Sequence, residues 1–259
     1  MAVREVTVRD WIPDQPGGWM MALAPALMGV CAAWRLTGRT NGVAWWALAC
    51  WALCYCVEFT GGRWLKSHLR RRFAWPVVGY GVALAAVGVP FVWLHPKVLV
   101  WAPAFLMFAV ADGMASWLRQ ERSLWADAVA VMAACLMPMV TFGYGVDPYV
   151  TPLVTLYGFA IVVSYAAVEF GSVLFVKTMI REHGRWAYVV ASWLWHGAAL
   201  AWWVRSGNMW LMALGIALLL RTIVLPLAFR VRRPKPIVAG ATESVASLLA
   251  FVCILMSLA

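Results

Sequence analysis

The sequence predicts an all-α, polytopic transmembrane bundle of about nine helices, and three observations carry that expectation. Hydrophobic residues make up 64% of the 259 residues and charged residues only 12%, about half the charged share of a soluble domain. Long apolar runs recur along the chain and approach the roughly 20 residues that a helix needs to cross a bilayer. The charged residues collect between those runs. Helices satisfy their own backbone hydrogen bonds in hydrocarbon, whereas a membrane barrel would show short alternating segments.

The runs are bounded by charges and by Gly or Pro. The first covers Trp19 to Trp34, the second Val43 to Phe59 and the third Trp75 to Leu94, closed by His95 and Pro96. The fourth is Val98 to Trp117 and the fifth Leu124 to Phe142. The sixth opens near Tyr149 and stays apolar to about Ile180. At about 1.5 Å per residue it is too long for one straight crossing, so it tilts, kinks near Gly171, projects from the bilayer, or divides into two helices. Trp186 to Val204, Met209 to Phe229 and Ile237 to Leu258 complete the set. Together they form a single integral membrane domain, with pseudo-repeat halves at roughly 17–120 and 121–230 and a final helix at 237–258. Residues 1–16 lack the apolar stretch and small-residue cleavage site of a secretory leader.

A net charge of +10 invites a nucleic-acid reading. The placement of the charges argues against it. Of the 21 Lys and Arg residues, sixteen fall in the N-terminal segment and loops two, four, six and eight, and four in loops one, three and seven. That bias predicts a cytoplasmic N-terminus and an outward C-terminus. The expected companions of these bases are anionic lipid headgroups.

All six cysteines lie inside proposed spans and read as small packed hydrophobes. Several of the eighteen tryptophans fall near span ends, where indoles favour the headgroup layer. Trp45, Trp46 and Trp51 cluster on one helix and read as helix packing and lipid contact, with a ligand cage as the alternative.

Ionisable groups in hydrocarbon are costly, so they mark candidate sites. Glu58, Asp112, Asp127, Glu169 and Glu243 lie within or at the edges of spans, and the predicted orientation sets all five toward the cytoplasm. Arg221 joins them from span eight. Converging, these groups would line a polar, cytoplasm-facing cavity. His196, alone in span seven, reads as a hydrogen-bonding partner for a neighbouring helix, with a proton relay as the alternative. Asp14 and Gln15, before Pro16-Gly17-Gly18, would lie at the same level.

An internal repeat adds the bases. Residues 57–70 (VEFTGGRWLKSHLR) and 168–181 (VEFGSVLFVKTMIR) share Glu-x7-Lys-x3-Arg at a constant offset of 111. Lys66 with Arg70, and Lys177 with Arg181, would each share a face on a continuing helix. Such pairs suit a phosphate or another anion. Glu58 and Glu169 would orient these cations, act as acid–base groups, or bind a divalent metal, although no zinc-type spacing recurs. Parallel repeats of this kind place a ligand between halves.

Four segments resemble the bacterial YwiC-like integral membrane family: Ile12–Met20 (IPDQPGGWM), Glu121–Asp127 (ERSLWAD), Phe170–Gly184 (FGSVLFVKTMIREHG) and Arg233–Glu243 (RPKPIVAGATE). Where that family shows His-Gly, this chain has Pro16-Gly17, so no role for the histidine carries over. The resemblance implies a bacterial cytoplasmic (inner) membrane location, and the family's biochemical role is undefined. A looser likeness is to the UbiA-type prenyltransferases, which resemble this chain in helix number and in carrying motifs on helices two and six. Their aspartate-rich motifs bind magnesium diphosphate. Glu58 and Glu169 with trailing bases stand here instead.

The leading expectation is a membrane protein binding an anionic or lipid-linked phosphate or diphosphate. Lys66, Arg70, Lys177, Arg181 and Arg221 would contact the anion, and Asp112, Asp127 and Glu243 would complete the shell. Whether it performs chemistry, as a UbiA-like transferase would, is left open, and no cofactor is indicated. A transporter of a small anion or proton-coupled solute and a membrane scaffold are the alternatives.

Overall fold

The computed structural model describes residues 11–13, 16–39, 41–147, 149, 155–231 and 233–258, with the side chains of Pro16 and Pro236 left aside. Asp14 and Gln15 lie outside them. Among the described residues there are nine long α-helices and no strand. They are α1 (Pro16–Thr37), α2 (Gly42–Lys66), α3 (Ala74–Leu94), α4 (Ala102–Trp117), α5 (Leu124–Val146), α6 (Leu156–Val176), α7 (Trp186–Ser206), α8 (Met209–Ala228) and α9 (Pro236–Ser257). Eight of these segments are long and apolar enough to cross a membrane, so the protein is a multi-pass membrane protein. At 21 residues, α7 is as long as the others, but Ser192, His196, Arg205 and Ser206 dilute its apolar character.

The chain divides into two compact units, Met1–Val162 and Val163–Ala259, with the boundary inside α6. In the first unit, α1 packs most closely on α5. Thr141 Oγ1 donates to the carbonyl of Ala26 across that contact, at 2.8 Å. Two glycines allow the approach. A Cβ on Gly29 would collide with the Thr141 hydroxyl and lie 2.8 Å from the Pro138 carbonyl oxygen, and one on Gly145 would collide with Ala33. Phe91, Met137, Val140 and Tyr144 fill the adjoining core. By contrast α3 and α4 expose Val78, Val82, Val89, Leu106, Met107 and Val110, apolar surface that only lipid or another hydrophobic partner can cover. Trp46 and Trp51 donate indole N–H groups to the carbonyls of Val87 and Ala22; these two tryptophans therefore tie helices together, while Trp45 is exposed.

Several helix ends differ from the sequence reading. Helix α2 runs seven residues past Phe59, through Gly61-Gly62, because Gly62 lets α4 approach: a Cβ there would stand 2.9 Å from Ser116 Oγ. It stops after Lys66, where His68 and Leu69 turn left-handed at φ 56 and 62. Asp147 accepts the Tyr149 N–H in an Asx turn at 2.8 Å, placing Tyr149 in a turn and not in a span. Thr155 caps α6 by accepting the Gly158 N–H at 3.0 Å. The long sixth run is thus one helix from Leu156, ending in a π-turn at Lys177–Arg181.

The second unit packs α8 between α7 and α9 and seats the π-turn against all three. Pro226 has no N–H to give the Thr222 carbonyl, and the Trp193 indole takes that acceptor at 2.8 Å. Gly207, at φ 68, ends α7 in the left-handed turn that glycine favours. All six cysteines are free thiols.

Candidate functional site

Each unit has its own group of ionisable residues. In the first, Glu58 on α2 and Asp112 on α4 bring their carboxyl groups within hydrogen-bonding reach of each other. Small residues make this possible, since Gly62 and Gly113 face Ser116 and Leu65 across the α2–α4 contact. Two carboxyl groups so close are compatible only with a proton or a cation between them. Lys66 Nζ lies 3.0 Å from Glu121 Oε1, near the same end of α2. Among the described residues no third acid, His or Cys joins the pair in a metal-binding group. Asp127 lies in the first turn of α5, where the helix dipole favours an anion.

The Lys66–Glu121 pair sits at the surface, with side chains 50% and 29% exposed. Such pairs contribute under about 1 kcal/mol. The expected result for Lys66→Ala is a thermal unfolding midpoint in detergent within a few degrees of the parent.

The second unit holds the deeper group. Glu169, Ser172 and Phe175 follow one another at three-residue spacing along α6, and all are buried. Arg221 on α8 donates through Nη1 to Glu243 Oε1 on α9 at 2.7 Å, with the two side chains 10% and 18% exposed. The guanidinium carbon stands 4.2 Å from the centre of the Phe175 ring, a cation–π contact strengthened by exclusion of water. Ser172 hydrogen-bonds the Glu243 carboxylate, and Glu169 lies near it. Arg221 Nε and Nη2 meet no hydrogen-bond partner among the described residues.

His196 forms the neighbouring wall. Its Nδ1 is 2.8 Å from the Ser192 carbonyl oxygen on its own helix, so the expected hydrogen bond to another helix is not what holds it. A carbonyl only accepts, so Nδ1 carries a proton. Nε2 then faces Gly171, where a Cβ would come within 2.8 Å, and has no partner among the described residues. Gly171 therefore serves close approach. Ser192 and Thr222 share a 2.6 Å hydroxyl hydrogen bond beside it.

The two copies of the repeated motif differ locally. Lys66 ends an α-helix and is exposed, whereas Lys177 opens the π-turn and is 3% exposed. Arg70 lies beyond α2 in extended backbone and Arg181 is exposed at the end of the π-turn. Neither Lys–Arg pair shares the face of a continuing α-helix. Sequence reasoning missed Ser172, Phe175, Ser192 and Thr222, because hydroxyl and aromatic residues are common in apolar helices. The Glu169/Ser172/Phe175 spacing is the signal that was there.

The family model for the YwiC-like protein matches residues 12–142, just over half of the chain. The chain belongs to the YwiC-like family. No curated protein and no solved structure matches it. The YwiC-like match includes Glu58, Lys66, Arg70, Asp112 and Asp127, and with them the Ile12–Met20 and Glu121–Asp127 segments. Glu169, Lys177, Arg181, Arg221 and Glu243 lie beyond it, as do the segments at 170–184 and 233–243.

Proposed function

We propose that this YwiC-like protein binds an anionic or lipid-linked ligand, phosphate or carboxylate in chemistry, within the membrane through Arg221. The single supporting observation is the state of that guanidinium. One amino group is fixed by Glu243, while Nε and Nη2 are buried without a hydrogen-bond partner among the described residues. These two N–H groups lie along one edge of the guanidinium and point the same way, which is the geometry that grips two oxygens of one anion. A buried donor left unmatched costs about 1–3 kcal/mol, and a ligand oxygen removes that cost. Glu243 and Phe175 then hold the fork, and Glu169 stands as the acid–base or orienting group beside it. Lys177 and Arg181 add positive charge at the same end of α6. In the first unit Glu58, Asp112, Asp127, Lys66 and Arg70 are proposed to bind or orient the same class of ligand. The charge bias of the loops supports a cytoplasmic opening.

Radiolabelled polyprenyl phosphate, titrated into the detergent-solubilised full chain, tests the proposal. The expected result is saturable binding that weakens at least about tenfold in the charge-free double variant Arg221→Met/Glu243→Leu. Parent-like binding, with no binding phase lost, in a double variant that melts like the parent would remove Arg221 as a contact for this ligand.

A further inference from the structure

A second site is built at the basic end of the second unit. A cavity of about 250 Å³ opens there. At about 30 Å³ per water it has room for several waters or one phosphate group with its ester carbons. Its lining combines the polar His183, Thr178 and Arg230 with the apolar Trp186, Val189 and Leu227. The polar groups are pre-set. Arg230 lies over the Trp186 ring at 5.3 Å, and His183 Nε2 is 2.9 Å from the Phe229 carbonyl oxygen, fixing the imidazole. A carbonyl only accepts, so Nε2 carries a proton and Nδ1 is the ring nitrogen left to hydrogen-bond a ligand. Gly184, at φ 86, leaves the rim open: a Cβ there would meet nothing within 4 Å.

Charge selects the ligand. Between Glu169 and Glu243 the only acid in the sequence is Glu182, and it is held by Arg185 at 2.6 Å. Lys177, Arg181, Arg230, Arg233 and Lys235 surround it in sequence. A cavity lined by a cation, apolar side chains and a tryptophan fits an amphiphile whose head is an anion. We propose that this cavity receives a phosphate ester, with Arg230 and His183 on the phosphate oxygens and Trp186, Val189 and Leu227 against the attached carbon chain. Phospholipid headgroups and soluble glycerol phosphates share that chemistry. Arg221 is not among its lining residues; Pro226, the lining residue on α8 that comes first after it, lies five residues on, about 7 Å along the helix.

Native mass spectrometry of the full chain with phosphatidylglycerol, diacylglycerol of the same chains, and glycerol 3-phosphate tests this. The expected result is one tight phosphatidylglycerol adduct and no comparable diacylglycerol adduct. Arg230→Gln and the cavity-filling Val189→Trp should each weaken that adduct about tenfold or more, while Arg221→Met/Glu243→Leu should retain it. Arg230 is exposed, so its variant is not expected to disturb folding. Binding of phosphatidylglycerol alone identifies a lipid as the occupant. Equally tight, Arg230-dependent binding of glycerol 3-phosphate identifies a soluble ester and supports the same site. Parent-like binding in Arg230→Gln, or equal binding of diacylglycerol, overturns the proposal. Parent-like polyprenyl phosphate binding in the Arg221 double variant would count against the Arg221 reading and leave this site standing.

Discussion

Gly29→Leu is expected to prevent α1 from seating on α5 and to leave little folded protein. The added side chain has no room at its first carbon, because the Thr141 hydroxyl occupies that position and the Pro138 oxygen and Phe142 nitrogen stand 2.8 and 2.9 Å away. Two of these three atoms belong to backbone and cannot rotate aside. Gly29→Ala sets two effects against each other. Alanine favours helix over glycine by about 1 kcal/mol, while overpacking a tight contact costs about 1–3 kcal/mol. With backbone as the obstacle the second prevails, so a net loss of stability is expected. Gly61→Ala is the control, since its Cβ meets nothing within 4 Å and only the propensity gain should be seen. Unfolding by denaturing detergent, followed by circular dichroism, compares the three variants. Parent-like stability in Gly29→Leu would mean that α1 and α5 do not pack in this way.

Removing one member of the Arg221–Glu243 pair is the second large effect. Glu243→Ala strands a guanidinium whose Nε and Nη2 already lack hydrogen-bond partners among the described residues. Breaking a buried pair from one side costs about 3–5 kcal/mol, and replacing both members with apolar residues of similar volume is often neutral. Arg221→Met/Glu243→Leu should therefore recover most of the stability that Glu243→Ala loses. Phe175 supports this, because a methionine sulfur can rest on the ring that now faces the guanidinium. The same unfolding assay decides it. Equal losses in the single and double variants would show that the pair is needed for packing and not for charge balance. Stability recovered without ligand binding would separate the two roles of Arg221.

Much of the architecture was legible because it follows from one solvent argument. Apolar length and charge placement locate the helices, and neither depends on how helices meet. Where the reading missed, a contact between helices was responsible. Gly61-Gly62 looked like a break, yet Gly62 faces Ser116 and α2 continues past it. Asp147 and Thr155 moved the start of α6 by bonding backbone N–H groups that periodicity cannot weigh. The ionisable residues were visible as anomalies, but their partners were not. Arg221 and Glu243 meet across helices, twenty-two residues apart. Lys66 and Lys177 occupy equivalent places in a repeat and one is exposed while the other is buried, a difference set by the turn each one sits in and not by local sequence.

The wide turn at Lys177–Arg181 has a consequence for comparing relatives. It is the last turn of α6, closed by the Glu182 N–H on the Lys177 carbonyl at 2.7 Å, and a wide turn of this kind takes one residue more than an ordinary one. A family member lacking that residue would close α6 with an ordinary turn and set the residues just beyond it at a different angle about the helix axis. His183 would then leave the rim it shares with Arg230, while Phe175, upstream, would stay beneath its guanidinium. The spacing from Phe175 to His183 is therefore a countable mark by which relatives with the same mouth can be told from those without it.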